Sequence, residues 1–175
     1  GKYWRSSLGG SAVGYEAGEL GIGMAFTREL TRPAEWERLI KPVISAKDED
    51  FRWYDNITLY KSTVIRTRHL INGCSFIMFY NAKGGDKENG KATAERIAMA
   101  VSSDMIHWKR FGSSPVIDHD TGISGDAFIS KIGDVWVMFY YGAFWKPGAF
   151  DRFACSYDLV HWTPWKGEDL IRSSE

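Results

Sequence analysis

The sequence predicts an all-β protein assembled from a recurring four-stranded unit. Three observations carry this prediction. Short runs rich in Val, Ile, Phe, Tyr and Trp alternate with turns bounded by Gly, Asn, Asp or Pro, which is the pattern of strands. A strand sequence recurs, as Phe76-Ile77-Met78-Phe79-Tyr80 and Trp136-Val137-Met138-Phe139-Tyr140, each shortly after a glycine turn at Asn72-Gly73 or Gly133-Asp134. A turn sequence recurs behind it, as Ala100-Val101-Ser102-Ser103-Asp104-Met105-Ile106-His107-Trp108 and Ala154-Cys155-Ser156-Tyr157-Asp158-Leu159-Val160-His161-Trp162. A period of roughly 50 residues holding four strands is the length of a β-propeller blade. A β-sandwich would supply the strands but not their recurrence with the same turn residues.

Taken in order, residues 1–45 read as the latter half of a blade. Ala25-Phe26-Thr27-Arg28-Glu29-Leu30 follows the Ala-x-Ser-x-Asp-Leu pattern, Trp36 follows after a short insertion, and Pro42-Val43-Ile44 matches Pro115-Val116-Ile117. Residues 33–40 could form a helical turn, but the alignment of copies makes them a turn and an outer strand. Residues 46–117 form a blade with strands expected near 56–66, 74–81, 95–102 and 107–111. Residues 118–171 form the next, with strands near 126–132, 135–141, 151–156 and 161–165 and with Leu170-Ile171 at its end; residues 172–175 open a further one. About two and a half blades are present. Trp36, Trp108 and Trp162 recur with the blade and read as packing residues, and His107 and His161 as structural companions of the turn.

The 175 residues are 44% hydrophobic and 25% charged, ordinary for a globular protein. Aromatics make up 15%, more than a core of this size needs, and the surplus suits either strands or flat ligand faces. Basic and acidic residues balance at 22 each, which argues against nucleic acid or an anionic membrane as partner. No apolar run reaches the roughly 18 residues that span a bilayer. No secretory signal is read in the first residues, which leaves the compartment open. Cys74 and Cys155 read as buried thiols, too few for a disulfide scaffold or a cysteine zinc site. Phosphate-cradling, zincin and nucleophile-elbow motifs are absent from the sequence. No cofactor is expected, although a divalent cation held by oxygen ligands on the propeller axis is compatible with the fold.

Strand alternation places the long loops after each second strand, about residues 5–18, 82–94 and 142–150, on the face where inner strands begin. Asp55, in Arg52-Trp53-Tyr54-Asp55-Asn56, and Asp126, in Ile123-Ser124-Gly125-Asp126-Ala127, are read as matched positions opening the inner strands of neighbouring blades. Two carboxylates converging at the mouth of a funnel are what glycosidic bond cleavage requires, one to protonate the leaving oxygen and one to activate water or attack carbon. The plainer alternative is that both aspartates cap turns. Arg52, Trp53, Tyr54, Asn56, Phe144, Trp145 and Arg152 are the expected substrate-binding side chains. His119, between Asp118 and Asp120, reads as part of a solvated loop.

The Met-Phe-Tyr strand, the Ala-x-Ser-x-Asp-Leu-x-x-Trp turn and an Asp opening each inner strand resemble the five-bladed propeller glycoside hydrolases. That superfamily includes arabinanases, β-xylosidases, invertases and levansucrases, and the chain is most similar in flavour to glycoside hydrolase family 43 and its bacterial relatives. The resemblance implies a funnel with three acids in the order Asp, Asp, Glu, namely a base, a modulator and a proton donor. Asp55, Asp126 and Glu175 match that order. If Asp55 opens the second blade, the base lies upstream of residue 1 and the roles shift by one. The invertase-type Arg-Asp-Pro motif is absent, which disfavours a fructan-cleaving retaining enzyme. Five blades need roughly 280 residues at this period, so the chain reads as a fragment. The resemblance implies a glycosidase of the inverting type acting on poly- or oligosaccharide, and favours the periplasm or secretion. Two rivals share the fold: a non-catalytic carbohydrate-binding propeller, and a phosphorylase using Arg52, Lys146 and Arg152 for phosphate. An incomplete ring would leave surfaces open to self-association.

Overall fold

A computed structural model describes residues 1–10, 20–31, 35–85, 95–118, 123–142 and 149–172. These form thirteen strands in three antiparallel sheets, with no helix among the described residues. The first sheet comprises β1 (Tyr3–Gly10), β2 (Leu20–Thr27), β3 (Glu37–Arg38) and β4 (Ile44–Ser45). The second runs β5 (Thr58–Ile71), β6 (Cys74–Lys83), β7 (Glu95–Ser102) and β8 (Lys109–Arg110) in that order. The third runs β9 (Gly125–Ile132), β10 (Val135–Gly142), β11 (Phe150–Ser156) and β12 (Thr163–Pro164), with β13 (Ile171–Arg172) also on β11. The order within each sheet follows the chain, as in the blades of a β-propeller. Two departures from expectation stand out: β5 continues to Ile71 where Arg66 was the expected end, and β1 runs on to Gly10, paired with β2, through residues expected to belong to a long loop from about residue 5.

The middle sheet is covered on both faces, and its sequence says why. Along β6, Met78, Tyr80 and Ala82 pack into a core shared with Ile22, Met24 and Ile44 of the first sheet. The alternate residues Ile77 and Phe79 pack into a second core with Met138, Tyr140, Phe150 and Ala154 of the third. A strand buried on both sides reads as a continuous apolar run, which is how Phe-Ile-Met-Phe-Tyr reads. Strand β7 shows how adjacent sheets fit. It turns Ala98 and Ala100 toward the first sheet and Ile97, Met99 and Val101 toward the third, so bulk meets a flat surface at each joint. Each large side chain so buried contributes roughly 1.5–3 kcal/mol. Cys74 and Cys155 are free thiols that are partly rather than fully buried, Cys74 at the margin of the second core.

The recurring turn has one hydrogen-bond design in both copies. The Ser102 hydroxyl accepts the N–H groups of Asp104 and Met105, and Asp104 Oδ1 accepts those of Ile106 and His107. The His107 ring meets Asp104 Oδ2 at 2.7 Å, and Trp108 Nε1 donates to the Met105 carbonyl. Ser156, Asp158, His161 and Trp162 repeat every one of these contacts. The Trp at the end of each turn packs at an inter-sheet joint, Trp162 edge-on to Phe79 at 5.7 Å. Pro42 and Pro115 lie where the outermost strand breaks. The chain then rejoins the sheet through Ile44 opposite Ile22 and Ile117 opposite Ile97, because proline cannot continue the ladder.

Candidate active site

The inner strands β5 and β9 share an irregularity. In β5 the register against β6 slips between Tyr60 and Ser62, leaving Lys61 outside the ladder with φ of 38°. In β9 the register against β10 slips at the same place, and Asp126 has φ of 54°. Both residues are β-bulges in the left-handed region, a conformation that costs a side-chain-bearing residue roughly 1–3 kcal/mol and gathers at functional sites. The blade equivalent of Asp126 is therefore Lys61. Asp55 belongs to the turn that leads into β5, upstream of the matched position.

The two bulges point opposite charges at each other. Lys61 Nζ lies 2.7 Å from Asp126 Oδ2, and the Tyr141 hydroxyl donates to the same oxygen at 2.6 Å. Asn81 holds the other side. Its Nδ2 donates to Asp126 Oδ1 at 2.6 Å, and its Oδ1 accepts the Asp126 N–H at 2.9 Å. The same Nδ2 donates to Glu95 Oε1 at 2.6 Å. One amide thus bridges two carboxylates, and these contacts fix its orientation, because only the NH₂ end can serve both acids. Glu95, 4% exposed, also accepts the Tyr60 hydroxyl and has Lys83 Nζ at 3.9 Å. Gly125 makes room, because a Cβ there would lie 2.1 Å from Glu95 Oε1. Burial first, and then the hydrogen bond to Asp126, push the Tyr141 phenol up to about 12. Burial works against the Lys61 ammonium, but the hydrogen bond and charge of Asp126 hold it above its ordinary value.

Asp126 is the partly exposed acid, with a quarter of its side chain accessible. It lines a cavity of about 240 Å³ together with Lys61, Ser62, Thr63, Asn81 and Phe128. Glu95 stands behind Asn81, deeper in the protein. Two acids, two lysines and two tyrosines in one network can hold a sugar hydroxyl and carry proton transfer. Among the described residues no three His, Cys, Asp or Glu side chains are grouped to hold a metal ion.

The structure puts other expected site residues elsewhere. Asp55 is fully buried in the joint between the first and second sheets. Its Oδ1 accepts the Arg52 N–H, and its Oδ2 accepts the Tyr80 hydroxyl at 2.9 Å and Arg110 Nε at 2.5 Å. These partners are distinct from the ones that hold Asp126. Arg110 also reaches Asp50, Asp48 and the Ser45 carbonyl, so the group fastens the connector between sheets. Tyr54 is fully buried, with its phenol raised to about 12 by burial and by Asp55. Arg52 bonds the Gly112 and Asp50 carbonyls, and Asn56 pins the backbone of Gly85. Trp53 is half exposed, under the Arg96 guanidinium at 4.8 Å. Arg152 pairs with Asp169 and lines a separate cavity of about 530 Å³ beside Trp165 and Lys166. Phe144, Trp145 and Glu175 lie outside the described residues, as do His119 and Lys146.

Sequence reasoning missed Glu95, Asn81, Lys61, Tyr60 and Tyr141. The available signal was polarity in strands: Asn81 interrupts an apolar run, Glu95 opens one beside Arg96, and both are buried. A buried polar residue in such a run must have a partner.

No protein-family profile and no curated protein matches the chain. Solved structures do. One described as a complex of BT0996 and RGII is 45% identical over 98% of this chain and 51% of its own, with a TM-score of 0.85. One described as "Glycoside hydrolase" is 44% identical over the same shares, also at 0.85. Fructan 1-exohydrolase IIa from Cichorium intybus shares the fold at a TM-score of 0.69 and 16% identity, over 99% of this chain and 31% of its own. The chain spans about half the length of the first two structures. Sheet order, inter-sheet packing and this similarity together show a β-propeller fold of the kind found in the glycoside hydrolases that the chain resembles.

Proposed function

We propose that the protein hydrolyses a glycosidic bond with the carboxylates gathered at the start of its inner strands, Asp126 at the cavity and Glu95 behind it. The observation that carries this reading is the Asn81 amide joining the two acids beneath the cavity wall. Glu175 is the proton donor that the resemblance implies, and inversion is likewise carried over from it. Asp55 is assigned a structural part, since its carboxylate is closed off by Arg110 and Tyr80. Trp53 remains a candidate sugar platform, because one half of its surface is open. Supporting the choice of ligand, the 45%-identical structure is described as a complex with RGII.

The test is hydrolysis of RGII oligosaccharides, with released sugars followed by chromatography and binding followed by calorimetry. The expected result is turnover that falls about 10²- to 10⁴-fold in Asp126→Asn and Glu95→Gln while binding persists. Binding without turnover in the parent protein would favour a non-catalytic carbohydrate-binding propeller. Turnover that depends on added phosphate would favour a phosphorylase.

A further inference from the structure

We infer that Lys61 is a positioning residue for Asp126, placed by a backbone bulge that the sequence keeps at the expense of local strain. The inference rests on the hydrolase reading above. Lys61 and Asp126 occupy the same bulge in successive sheets, and each has a backbone conformation that glycine adopts without penalty. A glycine at either place would relax the chain. The side chains present instead carry opposite charges and meet across the joint at 2.7 Å.

The geometry gives the lysine a definite task. A carboxylate on a short side chain can rotate about its last bond. Asn81 alone would fix one oxygen of Asp126 and the backbone N–H, leaving Oδ2 to Tyr141. The Lys61 ammonium binds Oδ2 from the neighbouring sheet and also lies 3.4 Å from the Tyr141 hydroxyl, so the plane of the carboxylate is set from two sides. The charge also matters. Glu95 stands on the far side of the same Asn81 amide, and a second acid so close repels the first. Lys83 faces Glu95 and Lys61 faces Asp126, so each acid has its own cation. Asp151, on β11, shares an apolar cavity wall with Asp126 and Tyr141 and is a further acid on that side.

The experiment compares Lys61→Gly with Lys61→Arg, measuring thermal stability, kcat and KM. Lys61→Gly relieves the strained φ, so its melting temperature is expected to equal or exceed that of the parent. Its kcat is expected to fall about 10²-fold with KM little changed, the size of effect that misplacing a reacting group by an ångström produces. Lys61→Arg keeps a cation in reach and is expected to recover most of the lost kcat. A Lys61→Gly protein that melts lower but turns over normally would overturn the inference, because the lysine would then serve only the joint. So would equal loss of kcat in the glycine and arginine variants. If Asp126→Asn also leaves kcat unchanged, the hydrolase reading itself falls; if only Lys61→Gly does, the positioning role alone falls.

Discussion

Asp55→Asn separates a structural acid from a catalytic one. Each partner of this carboxylate is a donor: the Arg52 N–H on Oδ1, and the Tyr80 hydroxyl and Arg110 Nε on Oδ2. An asparagine has the same shape, but whichever way its amide turns, an N–H must face another donor. The substitution also leaves the Arg110 charge, whose side chain is 1% exposed, without its fully buried counter-charge. Asp50 and Asp48 remain, but both are about half exposed, and solvent screens them. Breaking a buried pair from one side costs about 3–5 kcal/mol. For a chain of this length that corresponds to a melting temperature lower by roughly 6–20 °C. The assay is thermal and urea denaturation of the parent and variant, with kcat measured well below both transitions. The expected result is a large loss of stability and near-normal turnover in the fraction that stays folded. A variant that melts with the parent yet has lost its turnover would refute the reasoning, and would restore Asp55 to the role that sequence resemblance implies.

Two further outcomes follow from the same contacts. Gly125→Ala drives a methyl group against Glu95 Oε1 and, at 3.0 Å, against Asn81 Nδ2. It is expected to cost about 1–3 kcal/mol in urea denaturation and to lower kcat by displacing Glu95. The third concerns acid. Burial opposes charge on Asp104 and Asp158, but the His107 and His161 rings, together with the backbone N–H and serine donors of each turn, hold both carboxyls well below the ordinary carboxylate range. Groups depressed in the folded state stabilise it above their unfolded value near 4, and that contribution fades as the pH falls below it. The urea midpoint is expected to drop between roughly pH 4 and pH 2, and less steeply in the double variant Asp104→Asn, Asp158→Asn.

The repeat, most of the strand positions and the recurring turn were legible because each is written locally. Met-Phe-Tyr is a strand whose two faces are both covered, and Ser-x-Asp-x-x-His-Trp closes its own hydrogen bonds within seven residues. The Pro-Val-Ile repeat was legible too, but not that it carries a second half of the outer strand, since that shows only in its pairing with the strand inside it. The site was only partly legible. Asp126 was singled out as an acid at the head of an inner strand, and it lines the cavity. Asp55 could not be placed from sequence, because an aspartate before a strand serves equally well as a turn anchor, and its burial against Arg110 depends on a residue distant in the chain. Glu95 and Lys61 were hidden for a different reason. Their meeting with Asn81 and Asp126 depends on bulges, and a one-residue slip in register leaves no periodic mark in the sequence.

A bulged residue takes no part in the pairing of strands, so its identity is uncoupled from the architecture that presents it. The second and third sheets thus carry equivalent sockets, aimed at the same opening. One socket holds a cation and its neighbour an anion while the surrounding backbone stays alike. Changing what this scaffold does to a ligand therefore requires new occupants for those sockets, with the scaffold itself left intact.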